Sequence, residues 1–323
     1  MIIRNIRFSF LFLVAAMGLA IPAHAQDYPS KLIKLVSPYA PGGSTDVSLN
    51  LLKERLITKW GQPVVIEYRP GASGNIGTEA VFRSPPDGHT LLLTPSPTLT
   101  ANKYLFTKLS FDPQAFTPVS LIVESPNVLV VNPKLPIETV QQLINYAKAN
   151  PGRLNYATTG AGGTSHLAGE LFQLMAEVQL TPIPFNGTGP TIVALLGGHV
   201  DMMFMIMGSA MPHIRAGKLR AIAVAGETRS PLLPNVPAVT EVLPGFVSMA
   251  SSGIVAPPMT PPAIVNKLSV AIAEIMKEPE IVQRFLDLGS VSVGSTPAEY
   301  ARSLKQESGH AEKVIRRIGI TLD

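Results

Sequence analysis

The feature that most constrains the fold is a repeated junction in which a short apolar run leads through a glycine-rich loop into an amphipathic helix. The first junction joins the apolar run Ile33–Ser37 through the loop 38–46 to a predicted helix over 45–60, in which apolar residues recur at helical spacing from Leu49 to Trp60. Similar junctions follow along the chain. This alternation of strand and helix predicts an α/β architecture.

The remaining predicted elements follow the same reasoning. Strands are predicted over 64–68, 90–93, 127–131, 155–158, 182–185, 200–204, 219–225 and 251–256. Helices are predicted over 138–150, 165–178, 191–196, 262–277 and 297–318, with Pro279 marking the end of the fourth. The C-terminal helices have few strands of their own to cover, so we expect them to return to the first lobe. The prediction is a two-lobed chain with lobe one over 26–124 and 250–323, and lobe two over 125–249.

The first 25 residues have the three parts of a secretory signal peptide. A basic start through Arg7 precedes an apolar run over 8–22 and the small-x-small site Ala23-His24-Ala25. The apolar run is shorter than the roughly 20 residues that a membrane span requires, although an uncleaved anchor is the alternative. We expect cleavage near Ala25 and a soluble, monomeric, periplasmic protein.

Composition excludes several classes of function. The chain has no cysteine, which removes disulfides, thiolate chemistry and Cys-ligated zinc. Its net charge is +4, and loss of Arg4 and Arg7 with the leader would leave about +2. No clustered basic face suggests nucleic acid, and none of the six histidines forms an i, i+3 or i, i+4 pair. We therefore expect no nucleic-acid partner, no metal and no cofactor.

Four glycine-rich loops lie at predicted strand-to-helix junctions, at 38–46, 71–77, 158–166 and 186–190. Glycine lets the backbone approach a ligand, and the N–H groups and dipole of a helix start favour an anion. Loops from two lobes that face each other across a cleft would hold the two ends of an anionic solute. The alternative is that these loops are simple capped turns.

An ordered set of motifs gives the chain a specific resemblance. They are Tyr28-Pro29, PGGSTD at 41–46, GQPVV at 61–65, RPGASGNIG at 69–77, PDG at 86–88, NY at 155–156, HLAGE at 166–170, LLGG at 195–198, PHIRAGKLR at 212–220 and RSP at 229–231. In this set the chain resembles the Bug family, the substrate-binding subunits of tripartite tricarboxylate transporters. The resemblance implies a type II periplasmic-binding, Venus-flytrap fold with a central cleft. It also implies a small carboxylate ligand, such as a di- or tricarboxylate, an acidic amino acid or an aromatic acid, and membrane subunits as partners.

The resemblance also implies which residues meet the ligand. The loops at 39–46 and 159–166 would line the cleft, the segment 94–98 would lie close by, and Asp201 would approach the ligand. With the fourth loop added, the predicted ligand-binding residues are Tyr39, Ala40, Gly42, Gly43, Ser44, Thr45, Asp46, Ser96, Thr98, Thr159, Gly160, Gly163, Thr164, Ser165, His166, Phe185, Asn186, Gly187, Asp201 and Met205. We expect the cleft to close on one solute by a hinge motion.

The sequence departs from the family after Asp201, where Met205 and Ile206 replace an Asp and an Asn that family members often have. A ligand amine would lose a counter-ion there, which disfavours aspartate and glutamate. A wall that includes Met205 would suit an aromatic or less polar acid. The alternative is that these methionines are ordinary core residues.

Two other functions compete with solute delivery. A serine hydrolase is disfavoured because Ser165 and His166 are neighbours on a helix and no Gly-x-Ser-x-Gly turn is present. A periplasmic sensor that reports solute to a membrane signalling protein would have the same sequence features. We therefore predict a binding protein that is not an enzyme.

Overall fold

The computed structural model describes residues 28–41, 44–160, 162–185 and 187–322. The chain divides into two units, Met1–Ser30 and Lys31–Asp323, and the described strands and helices all lie in the second. The predicted signal peptide at 1–25 lies outside the described residues. In the part of the chain that is described, no helix is long and apolar enough to cross a membrane.

The first half of the sheet forms around the predicted first junction. Strands β1 (Ile33–Ser37), β2 (Val64–Tyr68) and β3 (Thr90–Pro95) are parallel, with β1 in the middle. Helix α1 (Ser44–Trp60) follows β1, and its Leu49, Leu52 and Leu56 are fully buried, as their spacing predicts. Parallel pairing brings the carboxyl ends of these strands to one edge, where the loops 38–46 and 69–75 begin.

Shorter helices follow at the same edge. Helix α2 (Asn75–Phe82) begins after a 3₁₀ turn at Ala72–Gly74, and β3 leads directly into the one-turn helices α3 (Pro97–Thr100) and α4 (Asn102–Leu105). Ala72 and Ser73 both have positive φ, at 47° and 51°, an uncommon conformation for residues other than glycine.

Strand β4 (Thr117–Val131) connects the two halves of the sheet. It pairs antiparallel with β9 (Met249–Ala256) along Thr117–Pro126, and from Asn127 onward with β7 (Met202–Ile206) and β8 (Arg220–Val224). The sheet runs in the order β2-β1-β3-β9-β4-β7-β5-β6, in which β5 is Asn155–Thr158 and β6 is Thr181–Pro184. The change of partners at Pro126 supports the predicted division into two lobes at 124/125, which we retain as a proposal. The prediction of a strand only over 127–131 missed the first ten residues of β4.

The second half of the sheet repeats the parallel pattern. Strand β5 (Asn155–Thr158) lies parallel to β6 (Thr181–Pro184) and to β7. Helices α5 (Val140–Ala149), α6 (Thr164–Ala176), α7 (Thr188–Gly197) and α8 (Met207–Arg215) complete this half. Its glycine-rich loops, like those of lobe one, follow the carboxyl ends of the strands.

Lobe two has an apolar core on each face of its sheet. One core contains Leu129 and the mutually contacting rings of Phe172, Phe204 and Phe246. The other contains Val128 and four methionines of β7 and α8, which are Met203, Met205, Met207 and Met211. Successive residues of a strand point to opposite faces, so a sheet covered on both faces buries β7 from Met202 to Met205 and leaves only Ile206 half-buried.

The C-terminal helices are α9 (Pro262–Met276), α10 (Pro279–Asp287) and α11 (Pro297–Ile318), with the short strand β10 (Val291–Ser292) pairing with β4. The prediction that Pro279 only ends a helix missed α10, because proline is also favoured in the first turn of a helix. Helix α11 begins in a capping box formed by Thr296 and Glu299. It contacts β4, α3 and α4, which supports its predicted return to lobe one.

A half-buried glutamate joins α11 to the strand that returns from lobe two. Glu307 accepts hydrogen bonds from Ser251 Oγ (3.0 Å) and Ser303 Oγ (3.1 Å). Burial raises the pKa of Glu307, and the charge of Glu124 adds to this rise. The folded state therefore favours the protonated acid. Between the pKa of Glu307 in the unfolded chain and its higher pKa in the folded protein, each rise in pH lowers the free energy of unfolding.

The variant Glu307→Gln keeps an acceptor for both serines and removes the charge. We expect it to increase the free energy of unfolding at about pH 8 and to change it less at about pH 5, as measured by urea denaturation. Glu312→Gln, which removes the partner of Arg316 on an exposed face of the same helix, is the control and should have little effect at either pH. A Glu307→Gln protein that is less stable than wild type at about pH 8 would contradict this interpretation.

Candidate ligand-binding site

The lobe-one side of the candidate site is organised by the Tyr39 hydroxyl. It shares a hydrogen bond with Thr98 Oγ1 (2.8 Å) and donates to the carbonyl of Ser73 (3.2 Å). Burial raises the pKa of Tyr39, which keeps the hydroxyl protonated. Three segments that follow β1, β2 and β3 are therefore joined at one atom, and Thr98 is placed beside the start of the loop 39–46.

A second group of side chains joins two of the same segments of lobe one, those that follow β2 and β3. Asn102 Nδ2 donates to the Ser73 carbonyl (3.2 Å) and to Asn75 Oδ1 (2.7 Å). The two bonds to its carbonyl hold Ser73 in its positive-φ conformation. Ser73, Asn75 and Asn102 are absent from the predicted site residues, although the 71–77 loop is recognisable in the sequence by its glycines.

Thr45 and Asp46 lie in the first turn of α1, on the same side of lobe one. Thr45 is buried, and Asp46 accepts a hydrogen bond from the Tyr68 hydroxyl. This bond to a carboxylate raises the pKa of Tyr68 to about 12. The first turn of α1 thus has an acidic side chain held by Tyr68 rather than directed at a ligand. Gly42 and Gly43 lie outside the described residues, and Ala40 is exposed.

Ser96 is fully buried and belongs to the support of the site. Its N–H donates to the Ser251 carbonyl (3.0 Å), and its Oγ shares a hydrogen bond with Ser251 Oγ (2.6 Å). These bonds fix the start of α3, which presents Thr98. We therefore assign Ser96 a structural role rather than the predicted contact with the ligand, because its hydroxyl is already hydrogen-bonded to Ser251.

The lobe-two side is the loop between β5 and α6. Thr159 and Gly160 are half-buried, and α6 starts after Gly163 with no side-chain cap on its first N–H groups. These N–H groups have no partner within the helix, which leaves them open to an anion. Thr164, in the first turn, is also half-buried.

Two predicted ligand residues of this loop turn inward instead. Ser165 Oγ accepts the N–H of Thr159 (3.0 Å), and His166 Nδ1 accepts the N–H of Gly162 (3.0 Å). Both side chains are buried. The structure therefore places them behind the loop, where they bind its backbone, and leaves Thr159, Gly160, Gly163 and Thr164 at its surface.

The loop between β6 and α7 borders the same space. The N–H of Phe185 donates to the Thr158 carbonyl (2.9 Å), and the Phe185 carbonyl accepts the N–H of Gly187 (3.0 Å). Among the described residues, a Cβ added at Gly160 would have one neighbour within 4 Å, the Phe185 carbonyl oxygen at 3.9 Å, and a Cβ at Gly187 would have none. Both glycines thus lie next to open space. Asn186 lies outside the described residues.

The loops of the two lobes approach each other. Gly162 lies against Leu105, at the end of α4, so closely that an added Cβ would overlap Leu105 Cδ1. Leu167 of α6 packs with Ala311 and Ile315 of α11 in the same apolar cluster. The loop of lobe two therefore contacts the helix that follows Thr98 in lobe one.

Comparison with known proteins agrees with this architecture. Residues 49–320 match the model of the tripartite tricarboxylate transporter family receptor. The chain belongs to this family. It is 37% identical over 312 residues to protein BugT of Bordetella pertussis, covering 96% of each chain. These receptors are periplasmic solute-binding proteins of the Bug type, a family of binding proteins rather than enzymes.

Two solved structures are also similar to this receptor. The R. palustris protein solved with adipate has a TM-score of 0.84 and 33% identity, covering 91% of this chain and 99% of that one. MatC from Rhodopseudomonas palustris, solved with bound malate, has a TM-score of 0.81 and 34% identity, covering 89% of this chain and 100% of that one. The two-lobed periplasmic-binding-protein fold predicted for the receptor is confirmed.

Two predicted ligand residues of the receptor do not reach the site. Asp201 lies at the amino end of β7, and its carboxylate accepts the N–H of Asn155 at the amino end of β5 (2.9 Å). The loop beginning at Thr159 is at the other end of β5, about four residues or roughly 13 Å away. Met205 is fully buried in the core beside Val128. We therefore remove Asp201 and Met205 from the candidate site, and the methionine wall with them.

Proposed function

We propose that this receptor captures a small dicarboxylate between its two lobes and delivers it, as a monomer, to the membrane subunits of a tripartite tricarboxylate transporter. The observation that carries the proposal is the uncapped start of α6, which faces open space beside Gly160 and Gly187 and contacts lobe one through Gly162. Similar proteins were solved with adipate and with malate, which supports a carboxylate ligand.

The chemistry of the described residues favours recognition by neutral groups. The candidate polar groups of lobe two are the Thr164 hydroxyl, the half-buried Thr159 and the N–H groups at the start of α6, whereas Thr98 of lobe one is buried and its hydroxyl bonds Tyr39. Hydrogen bonds from neutral donors to a charged carboxylate are worth about 1.5–3 kcal/mol each. A few such bonds are enough for micromolar affinity, near −8.2 kcal/mol, once the entropy cost of binding is met.

Removal of the methionine wall changes the expected ligand. The methionine wall is the feature that would suit an aromatic or less polar acid, and Met203 and Met205 are instead in the core. An aliphatic dicarboxylate now has the stronger support. Its two ends would bind the two lobes, one at α6 and the other near Thr98 and the start of α1.

A thermal-shift panel of adipate, malate, citrate, benzoate and glutamate at one pH tests this proposal. An aliphatic dicarboxylate present at 100 times its Kd should stabilise the receptor by about 2.7 kcal/mol. Benzoate as the best stabiliser would restore the aromatic alternative, and glutamate would show that an amine is accepted. A panel in which no acid stabilises the receptor would contradict carboxylate binding.

Delivery to the membrane needs a separate test. Vesicles that contain the membrane subunits should take up the labelled dicarboxylate only when the loaded receptor is added. Uptake that does not depend on the receptor, despite tight binding in solution, would favour the sensor alternative.

A further inference from the structure

The side chain of His166 is directed into lobe two and binds the loop that precedes its own helix. It is 5% exposed, and Nδ1 accepts the N–H of Gly162 at 3.0 Å. A ring nitrogen that accepts a hydrogen bond has no proton of its own, so the imidazole is neutral with its hydrogen on Nε2. The geometry thus specifies both the charge and the tautomer of His166.

Gly162 is the residue through which this loop touches lobe one. Its φ of +75° favours glycine, and Leu105 lies directly over its α-carbon. The N–H of the next residue, Gly163, donates to the Gly160 carbonyl (3.3 Å), and α6 begins immediately after it. The bond from His166 therefore fixes the position of the loop where it meets both the other lobe and the proposed ligand.

Two further groups face His166 from its surroundings. Glu170 Oε1 lies 3.8 Å from Nε2, and the Tyr156 hydroxyl of β5 donates to the same oxygen (2.5 Å). Of the other elements against α6, β7 has no titratable side chain from Met202 to Ile206, and α11 meets Leu167 with Ala311 and Ile315. Burial lowers the pKa of His166, and the charge of Glu170 opposes this only in part.

We propose that His166 is a positioning residue whose neutral imidazole holds Gly162 and the start of α6 in the ligand-binding arrangement, and whose protonation releases them. A proton on Nδ1 would set two donors, Nδ1–H and the Gly162 N–H, against each other. It would also draw the imidazolium towards Glu170. This inference rests on the proposed function, because it assumes that the loop binds the ligand.

The first test uses the full-length receptor without ligand. Above the pKa of His166, nitrogen-15 NMR should show a neutral imidazole protonated at Nε2, and the Gly162 amide should exchange slowly. His166→Asn, whose Oδ1 lies close to the position of Nδ1, should retain this protection. His166→Ala should exchange the Gly162 amide about tenfold faster. A histidine protonated at Nδ1, or equal protection in the Ala variant, would overturn the proposal.

The second test measures binding of adipate from about pH 8 to about pH 5. Wild-type affinity should fall by about tenfold as His166 becomes protonated, His166→Asn should not show this loss, and His166→Ala should bind weakly throughout. Glu170→Gln, which keeps an acceptor for Tyr156, should move the transition to lower pH because the imidazolium loses its counter-ion. An unchanged pH dependence in His166→Asn would also overturn the proposal.

The two tests separate this inference from the proposed function. If adipate does not bind at any pH, dicarboxylate capture fails for this probe, and the NMR result still decides whether His166 holds Gly162. Circular dichroism and the thermal midpoint of each variant show that it is folded at the pH of the measurement.

Discussion

Replacing Gly77 by alanine should lower the free energy of unfolding by about 1–3 kcal/mol, because the added methyl meets backbone atoms that have no rotamer to change. An ideal Cβ would be 2.7 Å from the Arg69 carbonyl oxygen and 2.8 Å from the α-carbon of Pro38. Helix α2 would have to move away from Pro38. Because Tyr39 follows Pro38 and organises the lobe-one side of the site, this movement would also disturb the site. Ligand affinity should therefore fall together with stability.

The control for Gly77→Ala is Gly309→Ala in helix α11. No described atom lies within 4 Å of a Cβ added at Gly309, so only the gain in helix propensity remains. We expect this variant to be more stable by about 0.4–1 kcal/mol, with unchanged ligand affinity. Urea denaturation measures both variants. A Gly77→Ala variant with the stability of wild type would contradict the close contact between α2 and the β1–α1 loop.

Removing the Tyr39 hydroxyl should weaken ligand binding by about tenfold, or about 1.4 kcal/mol, in the variant Tyr39→Phe. The hydroxyl bonds Thr98 Oγ1 at 2.8 Å and the Ser73 carbonyl at 3.2 Å, and so holds three loops of lobe one together. Its loss leaves the ring in place but no longer fixes Thr98. Calorimetric titration with the acid that gives the largest thermal shift measures the change.

Tyr146→Phe is the control for Tyr39→Phe, since Tyr146 lies on α5 with its side chain exposed. It should bind the same acid with the wild-type Kd. Equal affinity of Tyr39→Phe and Tyr146→Phe would show that the Tyr39 hydroxyl does not organise the site.

The sequence predicts most of the elements because local signals and burial agree. The spacing of Leu49, Leu52 and Leu56 identifies a helix and its buried face, and the structure has both. Two of the misses involve proline. Pro118 and Pro126 hid the first part of β4, and Pro279 was interpreted as a stop although it begins α10. Proline marks a boundary without specifying on which side the element lies.

The sequence predicts the loops of the site better than the side chains within them. A glycine-rich loop before a helix indicates where an anion can bind, but the direction of Ser165 and His166 depends on hydrogen bonds within the folded loop. Met205 is among the predicted site residues because it takes the position of an Asp that family members often have. Both faces of that strand are covered by helices, and the unbroken apolar run 202–206 is the pattern typical of such a strand.

A crystal structure of the receptor with its best-stabilising acid tests the central claim most directly. We predict one carboxylate within hydrogen-bonding distance of the N–H groups that begin α6 or of the Thr164 hydroxyl, and contacts from the other end of the acid to the Thr98 region. An acid bound elsewhere, such as the groove beside Trp60, Lys267 and Val270, would contradict this claim. So would an acid held by one lobe alone.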